Sequence, residues 1–309
     1  MRQDQAERLR LLARGLKQQI KAQVCGVAKN CRVIVITSGK GGVGKTNLAL
    51  GLSLALARNG YKVMLLDADM GLANVDVVLG LVPKYNLSHV FSGEKRLDEI
   101  LQNGPGGLQI IPGASGIEEM VNLDTLTLSR FVGEVIKLTK DLDFLFVDTS
   151  AGISRQVLSF ALSADEVLVV STPEPTALTD AYGLIKVFKQ NQGSGKLKLI
   201  INMARNRDEG REAAQKLISV VRQFLGLEIE FIGIIPSDTA VPEAVRRHQS
   251  YLLAYPHSPA SLSTMRIALN LGNFLPEKTR GVRGFFESLF TYFRGRDVRE
   301  VASKEEKRS

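Results

Sequence analysis

Residues 39–46 read GKGGVGKT, and no other stretch constrains the fold of this chain so tightly. Gly39, four residues and then Gly44-Lys45-Thr46 is the spacing of a phosphate-binding P-loop. Gly41, Gly42 and Gly44 carry no Cβ, so the backbone around Val43 can curl until successive N–H groups converge on one point. A helix starting at Lys45 adds the positive end of its dipole to the same point. The motif assigns Gly41, Gly42, Val43, Gly44, Lys45, Thr46 and Asn47 to a phosphate cradle. In it Lys45 faces the β- and γ-phosphates, and the Thr46 hydroxyl faces Mg²⁺. The flanks agree: the apolar run RVIVIT (32–37) precedes the loop, and an Ala/Leu-rich stretch follows to about Arg58. The chain is expected to bind a nucleotide.

Such a loop needs a strand–helix framework, and the rest of the body supplies one. Strands are expected over 32–37, 62–67, 108–111, 143–148, 166–171, 197–202 and 230–235. Helical patterns are expected over 45–58, 125–140, 176–190, 209–225 and 261–274. Nearly continuous β-branched runs such as VIVIT and VLVVS fit strands buried on both faces. Alternation of this kind predicts an α/β fold: a doubly wound, mostly parallel sheet flanked by helices, with ligands beyond the carboxyl ends of the strands. The 309 residues suffice for a substantial core. No apolar run reaches membrane-span length, and the charged N-terminus has no signal-peptide core. Cys25 and Cys31 are spaced for neither zinc nor a redox pair, so both read as plain thiols of a reducing cytoplasm.

Lys40, directly after the first P-loop glycine, is not required by the loop geometry. It resembles the deviant Walker A of the MinD/ParA/nitrogenase-iron-protein ATPases. That resemblance implies a lysine reaching across a dimer interface to the partner's phosphates, so that two chains sandwich two ATP molecules. Asp67 and Asp69, two apart at the end of an expected strand, would share a face. Their segment LLDADMGLANVDVVLG resembles the family's switch I, which gives Asp69 the attacking water and Asp67 a supporting place near the Mg²⁺ shell. Asp148, delivered by the strand before it, follows Walker B logic as a metal-holding carboxylate. Gly152 resembles the switch II glycine that senses γ-phosphate. The resemblance places the adenine ring by Asn202 and by Pro236 and Asp238. An NKxD guanine motif is absent, since Met203 and Ala204 follow Asn202, so ATP is favoured over GTP. Lys40, Lys45, Asp69 and Asp148 are thus the expected catalytic set, in a slow, Mg²⁺-dependent ATPase.

The net charge of +8 sits at the ends: residues 1–30 carry +5, residues 277–309 carry +3, and the body between them is neutral. Basic ends on a neutral body fit a membrane surface with acidic lipids or an acidic partner better than nucleic acid. Within GVRGFFESLFTYFR (281–294), Phe285, Phe286, Leu289, Phe290 and Phe293 fall on one helical face. Such a helix would lie in a bilayer interface, or pack onto its own domain. It resembles the C-terminal membrane-targeting helix of the MinD-like ATPases. At the other end, DQAERLR (4–10) matches the DQAxxLR signature of the flagellar MinD-like ATPases known as FlhG, YlxH or FleN. The resemblance implies that Gln5 stimulates the GTPase FlhF, with Asp4, Ala6, Leu9 and Arg10 around it.

These resemblances predict three regions: an activator segment at 1–22, an ATPase domain at 23–276, and a membrane-targeting helix with a charged tail at 277–309. They imply an ATP-dependent homodimer on the inner face of the cytoplasmic membrane. Its partners would be FlhF and either flagellar C-ring components or a flagellar transcription regulator. The rival reading is a ParA-type DNA-partition ATPase, which would need a basic patch on the body. A division-site MinD would lack the DQAxxLR extension.

Overall fold

Side chains of RVIVITS alternate between two apolar environments, and the strand they form, β1 (Arg32–Ser38), is buried along its whole length. The computed structural model describes residues 31–69, 74–113, 119–120, 123–273 and 279–294. After β1 come α1 (Lys45–Arg58), β2 (Val63–Ala68), α2 (Asn74–Leu79), α3 (Leu87–Phe91) and α4 (Leu97–Ile100). The chain continues through β3 (Gln102–Asn103), β4 (Gln109–Ile111), α5 (Thr125–Leu138), β5 (Phe144–Ala151), α6 (Arg155–Ser163) and β6 (Glu166–Ser171). It closes with α7 (Pro175–Gln190), β7 (Lys196–Ala204), α8 (Arg207–Leu225), β8 (Glu230–Pro236), α9 (Ala240–Arg246), α10 (Tyr251–Ala254), α11 (Pro259–Asn273) and α12 (Gly281–Arg294).

The strands form one eight-stranded sheet in the order β3-β4-β2-β5-β1-β6-β7-β8. Every pair is parallel except β3 with β4. This is the doubly wound, mostly parallel sheet that the sequence predicts. Ile34, Ile36, Leu65, Phe146 and Leu168 face a layer built by α1, α10 and α11. Val33, Val35, Leu145, Val147 and Val167 face the layer of α5, α6, α7 and α8. The chain leaves β1 for β2 on one side and reaches β6 on the other. The P-loop therefore sits at the switch point, where a parallel sheet opens a crevice.

The seven expected strands all form, with ends that shift by up to three residues. β5 runs past Asp148 to Ala151 because its pairing with β1 resumes after a bulge at Ser38↔Ala151. The short helices α6 and α9 were not expected, although Ser154 supplies α6 with a legible N-cap by accepting from the Val157 amide.

The apolar face of α12 is buried on the body. Phe285, Phe286, Leu289, Phe290 and Phe293 are between 0% and 7% exposed and belong to the same core as α5 and α6. Phe286 meets Phe131 edge-on at 5.6 Å between ring centroids, and Phe160 lies 6.2 Å from both Phe285 and Phe293. Of the two placements open to this helix, packing on its own domain is the one observed. The residues expected at a bilayer are core residues in this conformation. No helix among the described residues is long and apolar enough to cross a membrane. Asp4, Gln5, Ala6, Leu9 and Arg10 lie outside the described residues.

Candidate functional site: a phosphate cradle at the switch point

The P-loop takes its shape from three glycines in different ways. Gly42 and Gly44 have φ of 79° and 84°, the left-handed region that side chains disfavour. Gly39 is required by contact instead, since a Cβ there would come within 2.2 Å of the Asp180 backbone in α7. Gly44 ends the loop as the N-cap of α1, with no side chain occupying its amides. That leaves the helix terminus open to an anion.

Register brings the acidic strand ends to the same place. Asp67 on β2 pairs with Asp148 on β5, and Asp148 pairs with Ile36 on β1, just before the loop. Lys45 Nζ lies 3.4 Å from Asp148 Oδ1, with both side chains buried. The other oxygen, Oδ2, is buried with no hydrogen-bond partner. Burial pushes the Asp148 carboxyl up from its ordinary value, while Lys45 and Thr46 pull against that shift. Asp67 is also fully buried; burial, with Asp148 next in weight, raises its pKa to about 7. Its two oxygens accept the amides of Asp69 and Val75, which clamps the chain leaving β2. Asp69 is half-buried and accepts the Ser150 hydroxyl at 2.7 Å, which ties the β2 end to the β5 end. The Gly152 amide, with φ of 100°, donates to the Ser38 carbonyl at 2.8 Å.

An orphaned carboxylate oxygen of Asp148, with the Thr46 hydroxyl close by, supplies the hard oxygen donors that Mg²⁺ takes. The residues present therefore fit Mg²⁺: Asp148 and Thr46 would hold it. Among the described residues no group of three or more His, Cys, Asp or Glu is arranged around a single ion. The remaining ligands would be phosphate oxygens and water, as is usual for this metal.

A cleft of about 870 Å³ runs from this cradle towards β8 and α9, lined by Gly41 to Thr46, Asp69, Asn202, Met203, Pro236 and Asp238 among others. The structure thus gathers the P-loop, Lys40, Asp69 and the base-side residues around one opening, with Asp148 buried behind Lys45 rather than in the lining. It also gives three of them partners that the sequence did not reveal. Lys40 Nζ is held by Glu174 at 2.6 Å and by Thr176 at 2.9 Å. The Asn202 side-chain amide donates to the Val43 carbonyl at 2.8 Å, so it braces the P-loop. Asp238 accepts the amides of Ala240 and Ala260, and so anchors the starts of α9 and α11. Sequence reasoning missed Val241, Pro242, Val245 and Arg246, which line the far wall from α9. It also missed Met203, held at φ 57° beside Asn202. No local motif marks these residues, because α9 reaches the cleft only through the order of the strands.

A glycine loop on a switch point, a buried lysine–aspartate pair and an open cleft define a P-loop nucleotide-binding protein. The family model for the CobQ/CobB/MinD/ParA nucleotide binding domain matches residues 34–251. The chain is 44% identical over 256 residues to the antiactivator FleN of Pseudomonas aeruginosa, covering 82% of this chain and 91% of FleN. It is 37% identical over 272 residues to the flagellum site-determining protein YlxH of Helicobacter pylori, covering 85% and 91%. Among solved structures it resembles the septum site-determining protein MinD complexed with Mg-ADP from Pyrococcus horikoshii. That match has a TM-score of 0.65 and 28% identity, covering 79% of this chain and 96% of that one. It also resembles the MinC:MinD cell division protein complex of Aquifex aeolicus, with a TM-score of 0.63 and 31% identity, covering 81% and 99%. The chain belongs to the MinD/ParA family of nucleotide-binding ATPases, in its FlhG (FleN/YlxH) branch.

Proposed function

We propose that this protein is an ATP-driven switch that regulates flagellar number and placement. In this reading ATP joins two copies face to face, the dimer binds the inner face of the cytoplasmic membrane, and hydrolysis releases monomers. The carrying observation is the cradle itself, with a buried carboxylate oxygen of Asp148 left unpartnered beside Lys45. Buried polar groups are normally satisfied, and this one gains its partner only with nucleotide and metal.

Each residue then has a task. Lys45 leaves Asp148 for the β- and γ-phosphates, and the amides of Gly41 to Gly44 close around them. Thr46 and Asp148 would hold Mg²⁺, whose charge would offset that of the phosphate oxygens. Asp69, positioned by Ser150, orients the attacking water. Lys40 exchanges Glu174 for the partner's phosphates. Gly152 trades the Ser38 carbonyl for γ-phosphate and carries the start of α6 with it.

The last movement supplies a route to the tail. Arg155, on the first turn of α6, donates to the Phe293 carbonyl at 2.6 Å, and α6 is the platform on which α12 rests. A shift of α6 on ATP binding would loosen α12, whose aromatic face can then enter a bilayer. Each buried aromatic contributes roughly 1.5–3 kcal/mol to docking before ordering costs. One freed copy binds lipid weakly and two bind well, so dimerisation sets the affinity. The antiactivator name of FleN and the site-determining name of YlxH point the output towards a flagellar transcription regulator or the flagellar base. Residues 4–10 would stimulate FlhF.

The test uses the full chain and Asp69→Ala, with ATP or ADP and vesicles containing anionic phospholipid. Asp69→Ala is expected to bind ATP, lose turnover by more than about a hundredfold, and remain dimeric on vesicles. Hydrogen exchange across 281–294 should quicken with ATP. A monomer with ATP bound, or a tail equally protected in both nucleotides, would sink this reading.

A further inference from the structure

β8 ends the sheet, and its outer edge borders a second cavity that shares only Pro236 with the lining of the nucleotide cleft. This groove, about 530 Å³, is lined by four consecutive strand residues, Phe231, Ile232, Gly233 and Ile234. Side chains alternate across a strand, so a cavity touching four in a row must run along the edge, where backbone groups point outward. The walls are the start of α8 and the middle of α11. Gly210 and Gly233 bring these helices close: a Cβ at Gly210 would lie 2.8 Å from Ile234, and one at Gly233 would lie 2.6 Å from Ile267.

The rim is cationic and partly apolar. Arg207, Arg211 and Arg266 line it, all exposed and none in an ion pair among the described residues. Of the nearby carboxylates, Glu209, Glu212 and Glu230 are engaged by Arg205, Lys216 and Lys198, and Asp208, exposed on α8 between Arg207 and Arg211, sets one negative charge against the three arginines. Leu262 and Phe231 are 51% and 37% exposed beside them. Three unpaired arginines on a body that is neutral by count mark a local anion preference. They also argue against a second copy of this chain pairing edge to edge, because six arginines would then face one another.

We propose that this groove binds an acidic, extended segment of a partner protein, which adds to the sheet as a ninth strand beside β8. Main-chain hydrogen bonds to the β8 edge supply affinity, and the arginines select carboxylates flanking the inserted strand. The site lies outside the nucleotide cleft and does not depend on the switch reading.

The test titrates full-length protein with fluorescein-labelled peptides of alternating valine and aspartate, or valine and lysine, at low salt. Anisotropy should rise with the acidic peptide only. Arg211→Glu combined with Arg266→Glu should weaken binding at least about tenfold, and Leu262→Asp should weaken it independently, both with ATP turnover unchanged. Bound peptide should slow amide exchange at 231–234, the signature of an added strand. No binding, equal binding of the lysine peptide, indifference to charge reversal, or unchanged exchange in β8 would each overturn the proposal. So would displacement of the peptide by oligo(dT), which would make the rim a general polyanion patch.

Discussion

Both ends of the sheet bury charge, and they treat it in opposite ways. At the amino ends of the strands, Arg32 forms a two-pronged contact with Glu166, donating from Nε at 2.7 Å and from Nη2 at 3.0 Å. It also donates to the Leu271 carbonyl and lies over the Phe144 ring, while Lys198 reaches both Glu166 and Glu230. Every strong donor there has an acceptor. At the carboxyl ends, Asp148 keeps an orphaned oxygen and Asp67 titrates near neutrality. The first arrangement is complete without a ligand, whereas the second becomes complete only with one. Buried charge by itself therefore does not mark a functional site; here the mark is an unsatisfied carboxylate oxygen set against the lysine of an open phosphate cradle.

The largest expected effect separates the two ends by activity. Lys45→Met should lower ATP hydrolysis by at least about a thousandfold, as loss of a phosphate-positioning cation does. Apo stability should change by less than about 1 kcal/mol, because Asp148 can take up a proton when its partner leaves. Phosphate release and urea unfolding check this, and a collapse of stability would erase the contrast. Glu166→Ala should do the reverse. It strands Arg32 in the core and leaves Lys198 with Glu230 alone, at a cost of about 3–5 kcal/mol. ATP affinity measured below the melting range should stay unchanged, and a weakened affinity would show that the two ends are coupled.

Titration sharpens the comparison further. Asp67 has a folded pKa of about 7 against an ordinary value of 3.8, so the native state binds more protons between those values. Apo stability should then fall as pH rises through this window and be lowest above about pH 7. The distance between those two values caps the effect at about 4 kcal/mol. Asp148 and Asp76 are displaced in the same direction by burial and add to the slope. Urea midpoints of the apo protein at pH 6 and pH 8 test this; a higher midpoint at pH 8 would contradict the assignment. The smallest effect concerns the tail. Arg155→Ala removes the guanidinium hydrogen bond to the Phe293 carbonyl, worth about 1.5 kcal/mol. Exchange in α12 should quicken by several-fold, with ATP affinity untouched.

Much of the site was legible because it is local. The P-loop, the Asp67–Asp69 pair and Asp148 each sit at the end of a strand whose apolar run announces it. A parallel sheet places all such ends on one side. The far wall from α9 was not legible, nor were the engagements of Lys40, Asn202 and Asp238. Glu174 lies 134 positions from Lys40, and Val43 lies 159 from Asn202. No spacing rule spans such distances.

The tail makes the same division. Its composition determined an amphipathic helix with five large apolar residues on one face, and that helix forms over 281–294. Periodicity says that such a face must be covered, but not by what. Lipid and protein core satisfy it through the same hydrophobic effect. Only the tertiary structure, by offering the aromatic surface of Phe131 and Phe160 between α5 and α6, decided that the helix rests on its own domain. The sequence by itself determined the chemistry and the elements that carry it. The packing decided which of those elements meet, because contact between distant segments depends on the shape of the whole core.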